Sequence, residues 1–221
     1  MLSKEIISFL ISLKLPVVLP EGIELLYPFS DKETTDAIKE FYTKFYKGNT
    51  GRSMIIGINP GRFGGGVTGI PFTDPIRLES ECGIKNNWQK KQELSSLFIY
   101  DMITAYGGVN AFYSKFYITS VSPLGFIKSG VNLNYYGDKI LKESIKPFVV
   151  DCLQKQLGWG IKTDVAFCMG EGENFKFLTK LNEVHSIFEQ IIPLPHPRYI
   201  MQYKLKKKDD YIQKYLEVLC L

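Results

Sequence analysis

GINPGRFGGGVTGIPF, residues 57–72, is the stretch of sequence on which the fold assignment depends. Six of its sixteen residues are glycine, and Pro60 and Pro71 stiffen it. The apolar segment Ser53–Ile58 leads into it and is typical of a buried strand. Because glycine permits positive φ and a close approach of backbone to ligand, this stretch indicates a binding loop directly after a strand.

Further apolar segments are typical of buried strands and alternate with helical patterns. The strands are predicted at Ser53–Ile58, Phe116–Val121, Asp164–Met169 and Phe188–Pro193. Helices are predicted around residues 3–13, 31–47, 93–106, 138–157, 171–183 and 207–219, with a break at Pro147. This alternation predicts an α/β fold with three layers, α/β/α, around a central four-stranded parallel sheet. Without repeats or linkers, residues 1–221 are expected to form one domain.

The composition is that of an ordinary globular protein. Hydrophobic residues make up 45% and charged residues 23%, which excludes disorder. The net charge of +4 is compatible with a polyanionic partner and does not demand one. The four cysteines contain no CxxC pair, so no metal or cofactor is expected. No secretory pattern or bilayer-spanning stretch is found, and the chain is expected in the cytoplasm with no membrane partner.

Unusual residues follow all four predicted strands. In chain order they are Asn59-Pro60-Gly61, Ser122-Pro123-Leu124, Gly170-Glu171-Gly172 and Leu194-Pro195-His196-Pro197. In open parallel sheets, ligands bind beyond the carboxyl ends of the strands. The sequence therefore predicts that these segments converge on one cleft.

The glycine loop matches neither common phosphate-binding pattern. A P-loop needs Gly-Lys-Ser/Thr, and a dinucleotide loop needs GxGxxG that opens directly into a helix. At this point a structural loop without a ligand stays open as an alternative. His196 is the more informative of the two histidines, because Pro197 holds it in extended backbone geometry. His185 is expected at the surface without a function.

The combination of Asn-Pro-Gly after the first strand and Pro-His-Pro after the last resembles the uracil-DNA glycosylase superfamily. Within it, the chain is most similar to the single-strand-selective monofunctional (SMUG-like) branch. That branch carries G-hydrophobic-N-P-G and, after a glycine-rich stretch, T-G-hydrophobic-P-F. Gly57–Gly61 and Thr68–Phe72 provide both halves. Val121–Leu124 and His196-Pro197 add weaker support.

The resemblance implies a monofunctional DNA glycosylase of base excision repair. Such an enzyme hydrolyses the N-glycosidic bond of uracil, or of a related deaminated or oxidised base, and leaves an abasic site. By this resemblance His196 is a neutral donor to the ring carbonyl, and Asn59 orients the attacking water. Phe72 is suited to stack on the extruded base. The backbone around Ile58 is suited to face the charge that develops on the base.

Two positions depart from the pattern of the branch. Ser120 stands where the branch has an asparagine, and a hydroxyl cannot form the paired donor–acceptor fork of an amide. Gly64–Gly66 replace bulkier residues beside the five-position of the ring, which predicts a wider pocket. We therefore expect 5-substituted uracils such as hydroxymethyluracil, or xanthine, to be accepted. The expected base contacts are Ile58, Gly61, Phe72 and Ser120.

The residues after His196 predict a surface that faces DNA, single- or double-stranded. Arg198 and Tyr199 are candidates to fill the gap that the extruded base leaves in the DNA stack. The chain is expected to act as a monomer. The cluster suited to phosphates is Lys204, Lys206, Lys207 and Lys208, for which a solvated helix face is an equal alternative. Two other functions stay open: a catalytically weak DNA- or base-binding module, favoured by Ser120, and a small nucleotide-binding protein that uses the glycine loop.

Overall fold

Two sheets organise the computed structural model, which describes residues 1–48 and 51–220. The central sheet is parallel, in the order β3-β2-β6-β7, with β2 (Ser53–Gly57), β3 (Phe116–Ser120), β6 (Val165–Met169) and β7 (Gln190–Leu194). The second sheet is antiparallel, in the order β1-β4-β5, with β1 (Ile23–Leu26), β4 (Gly125–Lys128) and β5 (Val131–Leu133).

Helices flank the central sheet. Within the described residues they are α1 (Leu2–Ser12), α2 (Lys32–Phe45), α3 (Gly65–Thr68), α4 (Pro75–Ser80), α5 (Leu94–Tyr106), α6 (Val109–Lys115), α7 (Lys139–Ser144), α8 (Lys146–Leu157), α9 (Glu173–His185), α10 (Pro197–Tyr203) and α11 (Lys208–Leu219). The predicted helices are confirmed, including the break near Pro147, which lies in the first turn of α8 where its missing N–H is tolerated. The short helices α3, α4, α6 and α10 were not predicted. No helix in this part of the chain has both the length and the apolar character to cross a membrane.

The central strand β2 shows why the sheet is covered on both faces. Met54, Ile55 and Ile56 are consecutive and each has no exposed side-chain surface. Successive residues of a strand point to opposite faces, so the burial of all three requires packing on each side. The predicted α/β fold with a central four-stranded parallel sheet is confirmed, although β7 begins at Gln190 and not at the predicted Phe188.

The antiparallel sheet is an element that the sequence pattern does not predict. β4 and β5 are joined by a two-residue turn in which Ser129 (φ +50°) and Gly130 (φ +71°) are both left-handed. Two left-handed residues are typical of a type I′ hairpin turn. This hairpin matters for the site, because it brings Asn132 and Leu133 to the edge of the loop that follows β2.

Candidate active site at the strand ends

A pocket of about 430 Å³ opens beyond the carboxyl ends of the parallel strands. Its walls come from the segments after β2, β6 and β7, from the end of β3, from the second sheet and from the start of α5. The predicted site residues that line it are Ile58, Asn59, Gly61, Phe72, Ser120, His196, Arg198 and Tyr199. Three of the four predicted strand-end segments therefore meet in one cleft, of a size typical of small-molecule sites. The fourth, Ser122-Pro123-Leu124, is buried and does not line it, and β3 contributes its last residue, Ser120.

Asn59 is held at both ends of its amide by the last residue of β5 and by the turn that follows that strand. Its Oδ1 accepts a hydrogen bond from the backbone N–H of Tyr135 (2.9 Å), and its Nδ2 donates to the carbonyl of Leu133 (3.2 Å). A longer contact of 3.4 Å joins Nδ2 to the carbonyl of Pro60. One lone pair of Oδ1 is left. The side chain can therefore accept one O–H of a water molecule in a fixed position.

The glycines that follow Gly61 lie close to other parts of the protein. A Cβ at Gly64 would lie 1.9 Å from Oε2 of Glu93. A Cβ at Gly66 would lie 2.4 Å from Cδ2 of Leu26 and 2.7 Å from the carbonyl oxygen of Gly61. The space that a side chain would take at these positions is filled by other parts of the protein. The prediction that these glycines widen the pocket is wrong for Gly66, where the backbone of Gly61 blocks a side chain. At Gly64 the obstacle is the movable end of the Glu93 side chain, which itself lines the pocket.

The ring of Phe72 is half-buried at the pocket. Phe72 has a φ of +53°, which is rare for an aromatic residue and marks a backbone held by its surroundings. A Cβ at Gly57 would lie 2.7 Å from Cε2 of this ring, so only glycine leaves room for it there. The centroids of the Phe72 and His196 rings are 6.1 Å apart. A flat ligand on Phe72 therefore meets His196 at its edge.

His196 lies immediately before α10 and is oriented by that helix. Its backbone is extended (φ −66°, ψ 132°), as the following proline predicts. Its Nδ1 accepts a hydrogen bond from the backbone N–H of Arg198 (3.1 Å), so the neutral ring carries its proton on Nε2. Burial, and next the charge of Arg198, lower the pKa of His196 to about 4. Within the described chain Nε2 has no hydrogen-bond partner, and it is available to donate to a ligand.

Two polar side chains lie near Gly57 at the floor of the pocket. Ser120 ends β3 and is 5% exposed, and its hydroxyl forms no hydrogen bond within residues 1–48 and 51–220. Asn174, which the sequence did not indicate, is fully engaged. Its Nδ2 donates to the carbonyls of Gly57 (3.3 Å) and Met169 (3.1 Å), and its Oδ1 accepts from the hydroxyl of Tyr135 (2.9 Å). Asn174 therefore joins β2 to β6, and Ser120 is left to contact a ligand.

Glu93 is a pocket residue that the sequence did not indicate, because it belongs to no motif. Its backbone N–H donates to Oδ2 of Asp74 (2.8 Å) just before α5. Its carboxylate forms no hydrogen bond or ion pair with any other described residue. Burial, and next the Asp74 carboxylate, raise the pKa of Glu93 to about 7, while Arg198 acts in the opposite direction. The carboxyl group therefore titrates near neutral pH.

The residues after His196 form an exposed rim around the mouth of the pocket. Arg198 and Tyr199 lie in the first turn of α10, and Tyr199 is 44% exposed. The exposed lysines of the predicted cluster are Lys204, Lys206 and Lys207. Lys208 differs, because it is half-buried and its Nζ lies 2.9 Å from Oδ2 of Asp101. His185, the other histidine, is exposed in the last turn of α9, as expected.

Comparison with known proteins agrees with this geometry. The family model described as the Uracil DNA glycosylase superfamily matches residues 44–220. The crystal structure of wild-type SMUG2 from Pedobacter heparinus matches with 46% identity and a TM-score of 0.95, over 98% of this chain and 96% of that chain. Among curated proteins, none matches at a significant level. The chain belongs to the uracil DNA glycosylase superfamily. It is a SMUG-like member, and thus a DNA glycosylase.

Proposed function

We propose that this chain hydrolyses the N-glycosidic bond of uracil, or of a related deaminated or oxidised base, in DNA and leaves an abasic site. The observation that carries the proposal is the neutral His196, whose Nε2–H is free at a pocket that also holds Asn59 and Phe72. A glycosylase needs these three functions together: a stacking surface for the extruded base, a donor to its carbonyl and a positioned water.

Bond breaking is assisted by donors aimed at the departing base. As the C1′–N bond breaks, its electron pair moves to the base, and negative charge collects on the ring carbonyl. The Nε2–H of His196 stabilises this oxyanion, and one such donor contributes about 3 kcal/mol. With a pKa of about 4, His196 stays neutral throughout the physiological range. The backbone N–H groups of Ile58 and Asn59 supply a second contact.

The attacking water is oriented by Asn59, which accepts one O–H through the lone pair of Oδ1 that the protein leaves unused. An amide cannot remove a proton, but the sugar is already electrophilic once the base has begun to leave. The water oxygen then bonds to C1′, and its proton passes to solvent. No lysine lines the described pocket, which supports a monofunctional enzyme without a covalent intermediate.

Base discrimination depends on Ser120 and Gly61. Ser120 has a single hydroxyl where the SMUG-like branch has an asparagine amide with both a donor and an acceptor. The free-energy penalty for binding a wrong base is therefore smaller by roughly 1–3 kcal/mol. Gly61 lines the pocket, and a side chain at this position would meet Glu93 and Asn132. Excision of xanthine or hydroxymethyluracil beside uracil is therefore expected.

DNA reaches the pocket across the exposed rim. Arg198 or Tyr199 fills the vacated stack, and the phosphates are met by Lys204, Lys206, Lys207 and Lys208. Lys208 exchanges its Asp101 partner for a phosphate in doing so. The continuous cluster of buried hydrophobic residues supports a single domain. We further propose that the chain acts in the cytoplasm as a monomer.

The test uses single- and double-stranded oligonucleotides that carry uracil, hydroxymethyluracil, xanthine or hypoxanthine, followed by cleavage with alkali. We expect alkali-labile sites with uracil and with at least one other base. Binding without alkali-labile sites would instead indicate a catalytically weak base-binding module. Thermal stabilisation by mononucleotides, together with indifference to DNA, would indicate a small nucleotide-binding protein.

A further inference from the structure

Glu93 is a group of the pocket that the mechanism above does not use. Its carboxylate is half-buried and has no partner in the described chain. The other carboxylates of the lining differ, because Glu171 pairs with Lys214 (3.8 Å) and Glu173 pairs with Lys176 (3.1 Å). The oxygens of Glu93 are reached from the open pocket, since Glu93 lines it and neither oxygen is fully buried. The unpaired carboxyl group is therefore available to a ligand atom in the pocket.

The backbone of Glu93 is anchored beside the glycine-rich loop. Asp74, which has no exposed surface, accepts the backbone N–H groups of both Glu93 and Arg77 at 2.8 Å. On the other side, a Cβ at Gly61 would lie 2.9 Å from Oε1 of Glu93, and a Cβ at Gly64 would collide with Oε2. The glycine loop therefore makes room for the carboxylate, which lies against the wall of the pocket.

The order of groups around the pocket decides which edge of a base Glu93 meets. His196 follows β7 at one edge of the sheet, and Ser120 ends β3 at the opposite edge. Glu93 lies beyond the loop after β2, beside Gly61. When a base stacks on Phe72 with its carbonyl at His196 and its pairing edge at Ser120, the remaining edge faces Glu93.

We propose that Glu93 is a specificity-determining residue that donates a hydrogen bond to N7 of a deaminated purine, such as hypoxanthine or xanthine. Uracil has only a C–H at the corresponding place, so the contact favours purines and is absent with uracil. This inference rests on the proposed function, since it requires a base in the pocket.

Protonation decides whether this contact forms. N7 is an acceptor, so Glu93 donates only as the neutral acid. Its pKa of about 7, raised by burial and by Asp74, keeps a large share of the group protonated near neutral pH. The charged groups around it are Asp74, Arg77 (paired with Asp74) and Arg198. Excision of hypoxanthine is therefore expected to fall as pH rises through about 7, and excision of uracil is not.

The experiment compares single-turnover excision of uracil and hypoxanthine by wild type, Glu93→Leu and Glu93→Gln. Glu183→Gln, on the exposed surface of α9, is the matched control. Glu93→Leu is expected to slow hypoxanthine excision about tenfold more than uracil excision, which is the loss of one hydrogen bond made with the purine alone. Glu93→Gln keeps an N–H donor, so it retains most of the hypoxanthine rate and loses the pH dependence near 7.

Several outcomes would overturn the inference. Equal losses on both bases would mean that Glu93 supports the fold or a shared step. Unchanged hypoxanthine excision in Glu93→Leu would mean that no contact exists. A wild type that excises uracil and neither purine also overturns it and leaves the proposed function intact. Loss of uracil excision in the wild type is a different result, because it would refute the proposed function itself.

Discussion

His196 and Glu93 lie on two walls of one pocket and are held in different ways. One ring nitrogen of His196 is bound by the backbone of Arg198 and the other is open, whereas both carboxylate oxygens of Glu93 are open. Burial lowers the pKa of His196 to about 4 and raises that of Glu93 to about 7. Burial therefore disfavours the charged form of either group, and the neighbours decide which atoms are left for a ligand.

The largest effect is expected at His196, because its contact is made with every substrate. His196→Ala should slow single-turnover excision about 10²–10³-fold on uracil and hypoxanthine alike, through the loss of the oxyanion donor. Quench-flow measurement at saturating enzyme checks this. A loss confined to one base would show that His196 and Glu93 have exchanged the roles assigned to them.

Phe72 lies between the wall that carries His196 and the wall that carries Glu93. Its ring is expected to stack on uracil and on hypoxanthine alike. Phe72→Ala removes the stacking surface, worth about 1–3 kcal/mol per base, and should weaken both bases by a similar factor. Phe72→Tyr keeps the aromatic face and is the control. The effect is measured by comparing the single-turnover rates and half-saturation concentrations of the two variants. Wild-type values in Phe72→Ala would show that the base does not stack on Phe72.

The two walls should also have opposite effects on the pH dependence of stability. Glu93 holds its proton in the folded state up to about pH 7, so its contribution destabilises the fold as pH rises from 4.5 to about 7. His196 resists protonation, so its contribution is lost as pH falls from 6.5 to about 4. Glu93→Gln should therefore gain stability over wild type at pH 8 relative to pH 4, on the order of 1 kcal/mol. Urea unfolding at both pH values measures the difference, and an equal effect at both would contradict the assignment.

The smallest effect on chemistry is expected from the lysines outside both walls. Replacing the exposed set Lys204, Lys206 and Lys207 with Gln should reduce the salt slope of single-stranded DNA binding by up to about 0.7 per lysine. The single-turnover rate at saturation should not change. Lys208→Gln should reduce the salt slope by a smaller amount, because Lys208 gives up its contact with Asp101 before it binds a phosphate. A change in the saturated rate would place these lysines in the chemistry.

Most of the central sheet could be predicted because its strands are continuous apolar segments. All of Phe116–Ser120 is buried, so its signal does not depend on an alternating pattern. The second sheet escaped prediction because β5 has only three residues and its turn uses Ser129 in place of the usual Asn or Asp. Strands this short are too short to show the alternation of apolar and polar residues that predicts a strand.

The site could be predicted in part, and the limit is physical. Asn59, Phe72 and His196 lie within motifs that follow strands, so chain position alone brings them to the pocket. Glu93 and Asn174 arrive through tertiary contacts with Asp74 and Gly57, which leave no local pattern. The prediction for Gly66 is wrong because open space and close packing both select glycine.

The central claim is tested most directly by identifying the products of the reaction on single-stranded DNA that contains uracil. The account predicts free uracil in equal amount to intact abasic DNA, no protein–DNA adduct after borohydride reduction, and almost complete loss of both products in His196→Ala. DNA that stays unchanged with wild type would contradict base excision. A borohydride-trapped adduct would contradict the monofunctional mechanism in which Asn59 orients water.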